Sequence, residues 1–372
     1  DGYESLFDQK LKKVVTETPK QAGGLTDNFS WTGEADLPYY RRVAVHDGLS
    51  GYIDVPEDAE GFIHIDEIET DVDSDEVIEP RICISDIEVH IGDETFEETR
   101  ENGSQPINVI CCYDSYEQDF TVFYYDKYER PSGSEIRSKL QGQLEETGIE
   151  DYSDSRIELV ISDTESEMLK SYTEYISERS FDLTTGWNWI DFDWNYLIQR
   201  MKTLQDQGKD IHWSWLSPFN VSSSSRNDQM QVCGLPAFDM MKAFCDKLTF
   251  SNWRSKSLEY VSNEELGIGK IDDVDINEDW KNNPSKLIAY NIVDVILTVA
   301  LDDKNDIHGF FYEMADACPI PVYDAFYEKR MVDGIVLSMR NDKEILPTAD
   351  ESELVDNAGG FVADPFNGIK TN

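Results

Sequence analysis

The sequence predicts an α/β fold: a mixed sheet covered by helices, with a smaller α+β domain ahead of it. Three observations carry this. Four short runs rich in β-branched and aromatic residues lie between residues 81 and 161, separated by polar connections. From Glu165 onward the apolar spacing changes from alternation to the three-and-four rhythm of helices. Finally, Lys286–Leu301, KLIAYNIVDVILTVAL, reads as one long core helix.

Residues 1–75 form a separate unit in this reading. Leu11–Val15 closes a short helix, Glu34–Ser50 mixes turns at Pro38 and Asp47-Gly48 with a short apolar run, and Glu67–Glu76 is a charge run that forms a solvated linker or turn. Arg81–Val89 is the first strand of the second domain, Ile107–Tyr113 the second and Phe120–Tyr125 the third, joined as an antiparallel meander. Pro131–Ser155 is polar and acidic and reads as a surface insertion. Ile157–Ile161 is a fourth strand. A helix capped by Asp163 or Thr164 follows over Glu165–Ser177, with Met168, Leu169, Tyr172 and Ile176 on one face. Leu183–Trp187 is a strand and Trp194–Leu204 a helix; Asp210–Asp228 is a loop with a serine-rich tip. Ala237–Leu248 and Leu258–Leu266 are helical. Residues 76–310 are thereby assigned to one RNase H-like α/β domain. Residues 311–372 run through helices and Gly359-Gly360.

Acidic residues number 76 against 32 basic ones, a formal net charge of −44 spread along the whole chain. Disorder is the usual outcome of such acidity, but aromatic residues make up 12% of this sequence and apolar runs are frequent. A folded chain so charged repels itself in dilute buffer, whereas molar salt shortens the Debye length to about 3 Å. The composition fits a protein adapted to a potassium-rich cytoplasm. Acidity then reports the solvent and does not exclude DNA, because at molar salt counterion release no longer drives phosphate binding strongly. None of the six cysteines forms a C-x-x-C pair or has a histidine at zinc spacing, which fits free thiols in a reducing cytosol. No run reaches the length of a membrane span, and the start at Asp1 without methionine suggests a fragment.

The chemistry begins in the first strand. Asp86 and Glu88 are two residues apart, so they share one face, with Ile87 and Val89 on the other. Two neighbouring carboxylates on a buried strand repel each other and are costly to desolvate. A hard divalent cation relieves both costs. Asp193 opens a helix just after a strand end marked by Gly186, a corner where α/β proteins place ligands. Tyr290 and Asp294 are one turn apart on the long apolar helix. Each alone has a plainer reading: a haloadapted surface triplet, a helix N-cap, a core helix with one aspartate. Together, four carboxylates from a strand, a corner and a helix suit two divalent cations, Mg2+ or Mn2+, about 4 Å apart for phosphodiester hydrolysis. Tyr290 is then placed to hold the attacking water, and Asn188 and Phe192 to contact the terminal nucleotide.

These residues also resemble a known family. SDIEV at 85–89, N-x-x-x-F-D at 188–193 and Y-x-x-x-D at 290–294 look like the three 3′–5′ exonuclease motifs of family B DNA polymerases, in the family's order. The flanks TGWN, FDWNYLIQR and SLEYVSNEELG at 257–267 agree with this. EADLPYYRR at 34–42 resembles a stretch of the family's amino-terminal domain, and AGGFVADPFNG at 358–368 the segment before its palm. The resemblance implies an amino-terminal domain over 1–75, a proofreading RNase H-like exonuclease domain over 76–310, and a return segment leading to the palm over 311–372. It implies metal ligation by Asp86, Glu88, Asp193 and Asp294. It further implies DNA as partner, as a primer–template with a single-stranded 3′ end, together with a palm, fingers and thumb part in cis or in trans, and a sliding clamp, with no membrane. The palm motifs themselves are absent from these 372 residues. The acidic bias suggests a haloarchaeal or halophilic viral member. Two other readings stay open here: a free-standing exonuclease of the same fold, and a non-catalytic DNA-binding scaffold.

Overall fold

The computed structural model describes residues 79–339 except 129, 148–151, 153–154, 222–231, 250–251 and 269–273. Outside that span it describes 3–5, 10–17, 21, 24–34, 37, 40–41, 53–54, 63, 67–70, 344–346 and 348. The chain divides into two compact units, Asp1–Asp73 with Asp333–Asn372, and Ser74–Val332. In the first, Tyr3–Ser5 pairs antiparallel with Lys10–Leu11 and parallel with Glu344–Ile345, while Ile53–Asp54 pairs antiparallel with Glu69–Thr70. The helix expected over Leu11–Val15 is therefore absent: Leu11 pairs with Tyr3 as strand, and no helix follows it. EADLPYYRR lies mostly outside the described residues, and the Ser222–Ser225 tip and AGGFVADPFNG wholly so.

The second unit is built on one mixed sheet. Its strands are β1 (Ile82–Val89), β2 (Ile107–Asp114), β3 (Asp119–Tyr125), β4 (Ile157–Ser162), β5 (Leu183–Gly186) and β6 (Ala237–Asp239), in the spatial order β6-β5-β1-β2-β3-β4. The pairs β1–β2 and β2–β3 are antiparallel; β6–β5, β5–β1 and β3–β4 are parallel. The expected RNase H-like α/β class holds. Side chains alternate as a period of two requires: Ile82 and Ile84 join one buried cluster, and Cys83, Ile87 and Val89 the other.

The described residues include the α-helices α1 (Phe96–Asn102), α2 (Gly133–Thr147), α3 (Glu165–Arg179), α4 (Asp193–Asp206), α5 (Leu258–Leu266), α6 (Ile276–Asn282), α7 (Pro284–Asn305), α8 (Ile307–Ala317) and α9 (Glu328–Met339). Helices α3 and α4 pack their buried faces on one side of the sheet, and α7 with α2 and α5 on the other. By length and composition α7 would cross a membrane, contrary to the sequence-based expectation, yet 83% of its most apolar window is buried inside the protein. It is a core helix, and each of its fully buried Leu, Ile and Val side chains contributes roughly 1.5–3 kcal/mol of apolar burial.

Two expectations fail on the way to this sheet. Pro131–Ser155 is not a surface insertion, because α2 lies within it. Ile136, Leu140 and Leu144 recur every fourth residue and are buried against the α7 cluster. The parallel step from β3 to β4 needs a crossover of this kind, which a hairpin cannot supply. Likewise Ala237–Leu248 is not one helix. Ala237–Asp239 extends β5 as a parallel edge strand, and a wide π-type helix begins only at Lys242. The Asp239 carboxylate accepts the Lys242 backbone N–H at 2.9 Å, ending the strand and opening that helix.

A buried ion pair fixes the helix that carries the corner aspartate. Arg200 on α4 donates to both oxygens of Glu165 on α3 at 2.8 and 2.6 Å, and to the Gly103 and Ser104 carbonyls at 2.9 Å. Glu165 also accepts the Ile107 backbone N–H at 2.9 Å. With every partner in place, the pair locks α3, α4 and the start of β2 in one arrangement; removing either side would strand a buried charge.

Candidate active site

Strand β1 presents Asp86 and Glu88 toward α7. Asp86 is half-buried and Glu88 is 7% exposed. The neighbouring strand approaches closely: a Cβ on Gly186 would sit 2.3 Å from the Ser85 carbonyl oxygen, so only glycine allows β5 to lie there. Across the ladder Asp86 faces Cys111, whose thiol is buried. Burial pushes that thiol's pKa well up, and the Asp86 and Asp294 charges add to the effect. The sulfur is thus held as a neutral thiol and the anionic donors around it are oxygens.

Helix α7 supplies the opposite wall. Asp294 is 2% exposed, and Tyr290, one turn earlier, is half-buried. One carboxylate oxygen each of Asp86, Glu88 and Asp294 lies within 4.8 Å of the other two. Three carboxylates so close, two of them buried, form an acidic, all-oxygen donor set, the chemistry of magnesium and manganese sites. Asn291, fully buried on the same helix, donates its Nδ2 to Asp86 Oδ2 at 2.7 Å.

The corner from β5 to α4 brings the fourth carboxylate. Asn188 takes φ +60°, the left-handed region that asparagine tolerates better than most residues. The turn closes through Phe192 N–H to the Asn188 carbonyl at 3.2 Å and Trp194 N–H to the Trp189 carbonyl at 2.8 Å. Asp239 holds the turn from outside by accepting the Ile190 N–H at 3.0 Å. Lys242 pairs with Asp191 at 2.7 Å, and Arg100 donates to the Asp191 carbonyl. Asp193 then begins α4, 5% exposed. Burial raises its pKa well above the usual carboxylate range, and the nearby Asp86 and Glu88 charges raise it further. The Phe192 ring stacks on Tyr196 with centroids 5.7 Å apart.

Residues 32–261 match the family model described as DNA polymerase family B, exonuclease domain. The chain belongs to this family.

Several viral polymerases are similar to this family B chain. The DNA-directed DNA polymerase of Escherichia phage RB69 is 27% identical over 300 residues, 77% of this chain and 32% of the phage protein. That of Enterobacteria phage T4 is 25% identical over 268 residues, 70% of this chain and 30% of the relative. The DNA polymerase catalytic subunit of Saimiriine herpesvirus 2 is 25% identical over 228 residues, 56% and 22% respectively. The chain spans about a third of the length of the two phage relatives it matches.

Of the site residues expected for a family B exonuclease domain, the structure brings Asp86, Glu88 and Asp294 into one cluster. Asp193 lies outside that trio yet close enough for two of its charges to act on it. Tyr290 is on α7 one turn before Asp294, and Asn188 and Phe192 are in the corner that leads into Asp193. Two residues of the site escaped the sequence reading. Asp239 carried no signal, since its stretch read as helix. Asn291 did carry one: it is a polar residue inside an apolar helix, three positions before Asp294, where an amide must find a partner.

Proposed function

We propose that this chain is the proofreading part of a family B DNA polymerase and removes nucleotides from the 3′ end of DNA. The observation that carries the proposal is the meeting of the Asp86, Glu88 and Asp294 carboxylates within 4.8 Å in a chain of this family. Asp86, Glu88, Asp193 and Asp294 would hold two divalent cations, magnesium or manganese. When bound, such ions activate a water and stabilise the leaving oxygen of phosphodiester hydrolysis. The residues do the rest. Tyr290, one turn from Asp294, positions the attacking water through its hydroxyl. Asn188 and Phe192, at the mouth of the corner, orient the terminal nucleotide. The buried walls of α4 and α7 limit the water around the carboxylates. The DNA partner is the single-stranded 3′ end of a primer–template. The palm, fingers and thumb belong to the same polymerase, in cis or as a separate chain, and a sliding clamp is a further partner. The charge of −44 supports a salt-rich cytoplasm as its setting, since high salt screens such repulsion.

The test is degradation of a 5′-labelled single strand in molar KCl. A manganese-dependent ladder shortening from the 3′ end, lost in Asp86→Ala, is the expected result. A folded chain that leaves the strand intact at every manganese concentration would overturn the proposal in favour of a non-catalytic scaffold.

A further inference from the structure

We infer that Asn291 is a positioning residue of the exonuclease site, one that sets the orientation of Asp86 for divalent-cation binding; the inference rests on the functional reading above. Asn291 is fully buried on α7, between Tyr290 and Asp294 in sequence, and touches β1 through one strong contact, Nδ2 to Asp86 Oδ2 at 2.7 Å. A carboxylate only accepts hydrogen bonds, so the amide orientation is fixed with nitrogen toward Asp86. The bond holds Oδ2 and so fixes the plane of the carboxylate.

The choice of an amide is chemically specific. A lysine at this position would neutralise Asp86 and compete with the cation. An aspartate would add a further negative charge to a cluster that already strains against its own repulsion. Asparagine orients without changing the charge. Its own Oδ1 is buried and accepts no hydrogen bond from the protein. A buried amide oxygen left in this state is costly in proteins. Partners that orient metal ligands in this way typically affect metal affinity by about 10- to 100-fold.

The deciding experiment measures manganese binding by calorimetry on the full 372-residue chain in molar KCl, alongside thermal unfolding with and without manganese. Asn291→Leu keeps the approximate side-chain size and removes both hydrogen-bonding groups. Its manganese affinity should fall about tenfold or more, and the rise in melting temperature on adding manganese should shrink. Wild-type affinity in this variant, with a melting temperature lowered equally with and without manganese, would assign Asn291 to packing alone and overturn the inference. Should the leucine variant not fold, Asn291→Asp serves instead. It should melt lower than wild type without metal and gain more from manganese than wild type does; an equal gain would overturn the inference. A wild-type chain that binds no manganese would overturn the functional reading and this inference with it. A wild type that binds, beside a leucine variant that binds equally well, would overturn this inference alone.

Discussion

Asp193 is 5% exposed and shares its surroundings with Asp86 and Glu88, so burial first and their charges second raise its pKa. A carboxyl whose pKa is higher folded than unfolded binds a proton on folding. Its stability contribution is complete below the unfolded value, about 3.9, and is lost as pH rises through the folded value. The metal-free protein should therefore melt higher at mildly acid pH than at neutrality. Asp193→Asn should flatten that slope and raise the neutral-pH melting temperature without metal by about 2–4 °C, the shift that roughly 1 kcal/mol produces in a domain of this size. Calorimetric scans across pH, with chelator present, check both. Tyr290→Phe tests the neighbouring role: single-turnover cleavage at saturating manganese should slow on the order of 10²-fold, with manganese affinity unchanged. Equal rates with a lowered melting temperature would place Tyr290 in the core. At this scale the sequence showed which residues share a face, since Asp86 and Glu88 follow from a period of two and Tyr290 and Asp294 from one helical turn. It did not show who bonds to whom. The contact between Asn291 and Asp86 joins residues 205 apart, and no local spacing encodes it.

Among the elements, strands with strong alternation or continuous β-branched runs were legible almost to the residue: Ile107–Tyr113 was expected and Ile107–Asp114 is found. The helix capped by Thr164 is also found, with Thr164 Oγ1 accepting the Glu167 N–H at 3.2 Å. Where the reading failed, composition hid geometry. Helix α2 is mostly polar, and only Ile136, Leu140 and Leu144 betray its buried stripe. Strand β6 is three residues long, too short for any period to register. If α2 is part of the core, Leu140→Ala should destabilise the protein by about 2–5 kcal/mol; denaturant unfolding that moved by less than half a kilocalorie would return α2 to the surface. Asp239 likewise ties elements together, as acceptor for both Ile190 and Lys242 N–H groups. Asp239→Ala would leave both half-buried donors without that acceptor, a cost of at most about 1–3 kcal/mol each, and would loosen the corner that carries Asn188 and Asp193.

For the whole molecule, net charge decides the response to salt. A charge of −44 repels itself over about 10 Å at 0.1 M salt and about 3 Å at 1 M. Salt also weakens ion pairs, but several described ones are sheltered: Asp114, which pairs with Arg81 and Arg179, is fully buried, as is nearly all of the Glu165–Arg200 pair. Relief of repulsion should win, and the melting temperature should climb between 0.1 and 2 M KCl; a flat or falling curve would remove the haloadapted reading. The most direct measurement of the central claim is anomalous diffraction from a crystal soaked in manganese. Density for manganese is expected between Asp86, Glu88 and Asp294, with a second ion toward Asp193. A soaked crystal with no anomalous density at these carboxylates, or with manganese bound only elsewhere on the acidic surface, would contradict it.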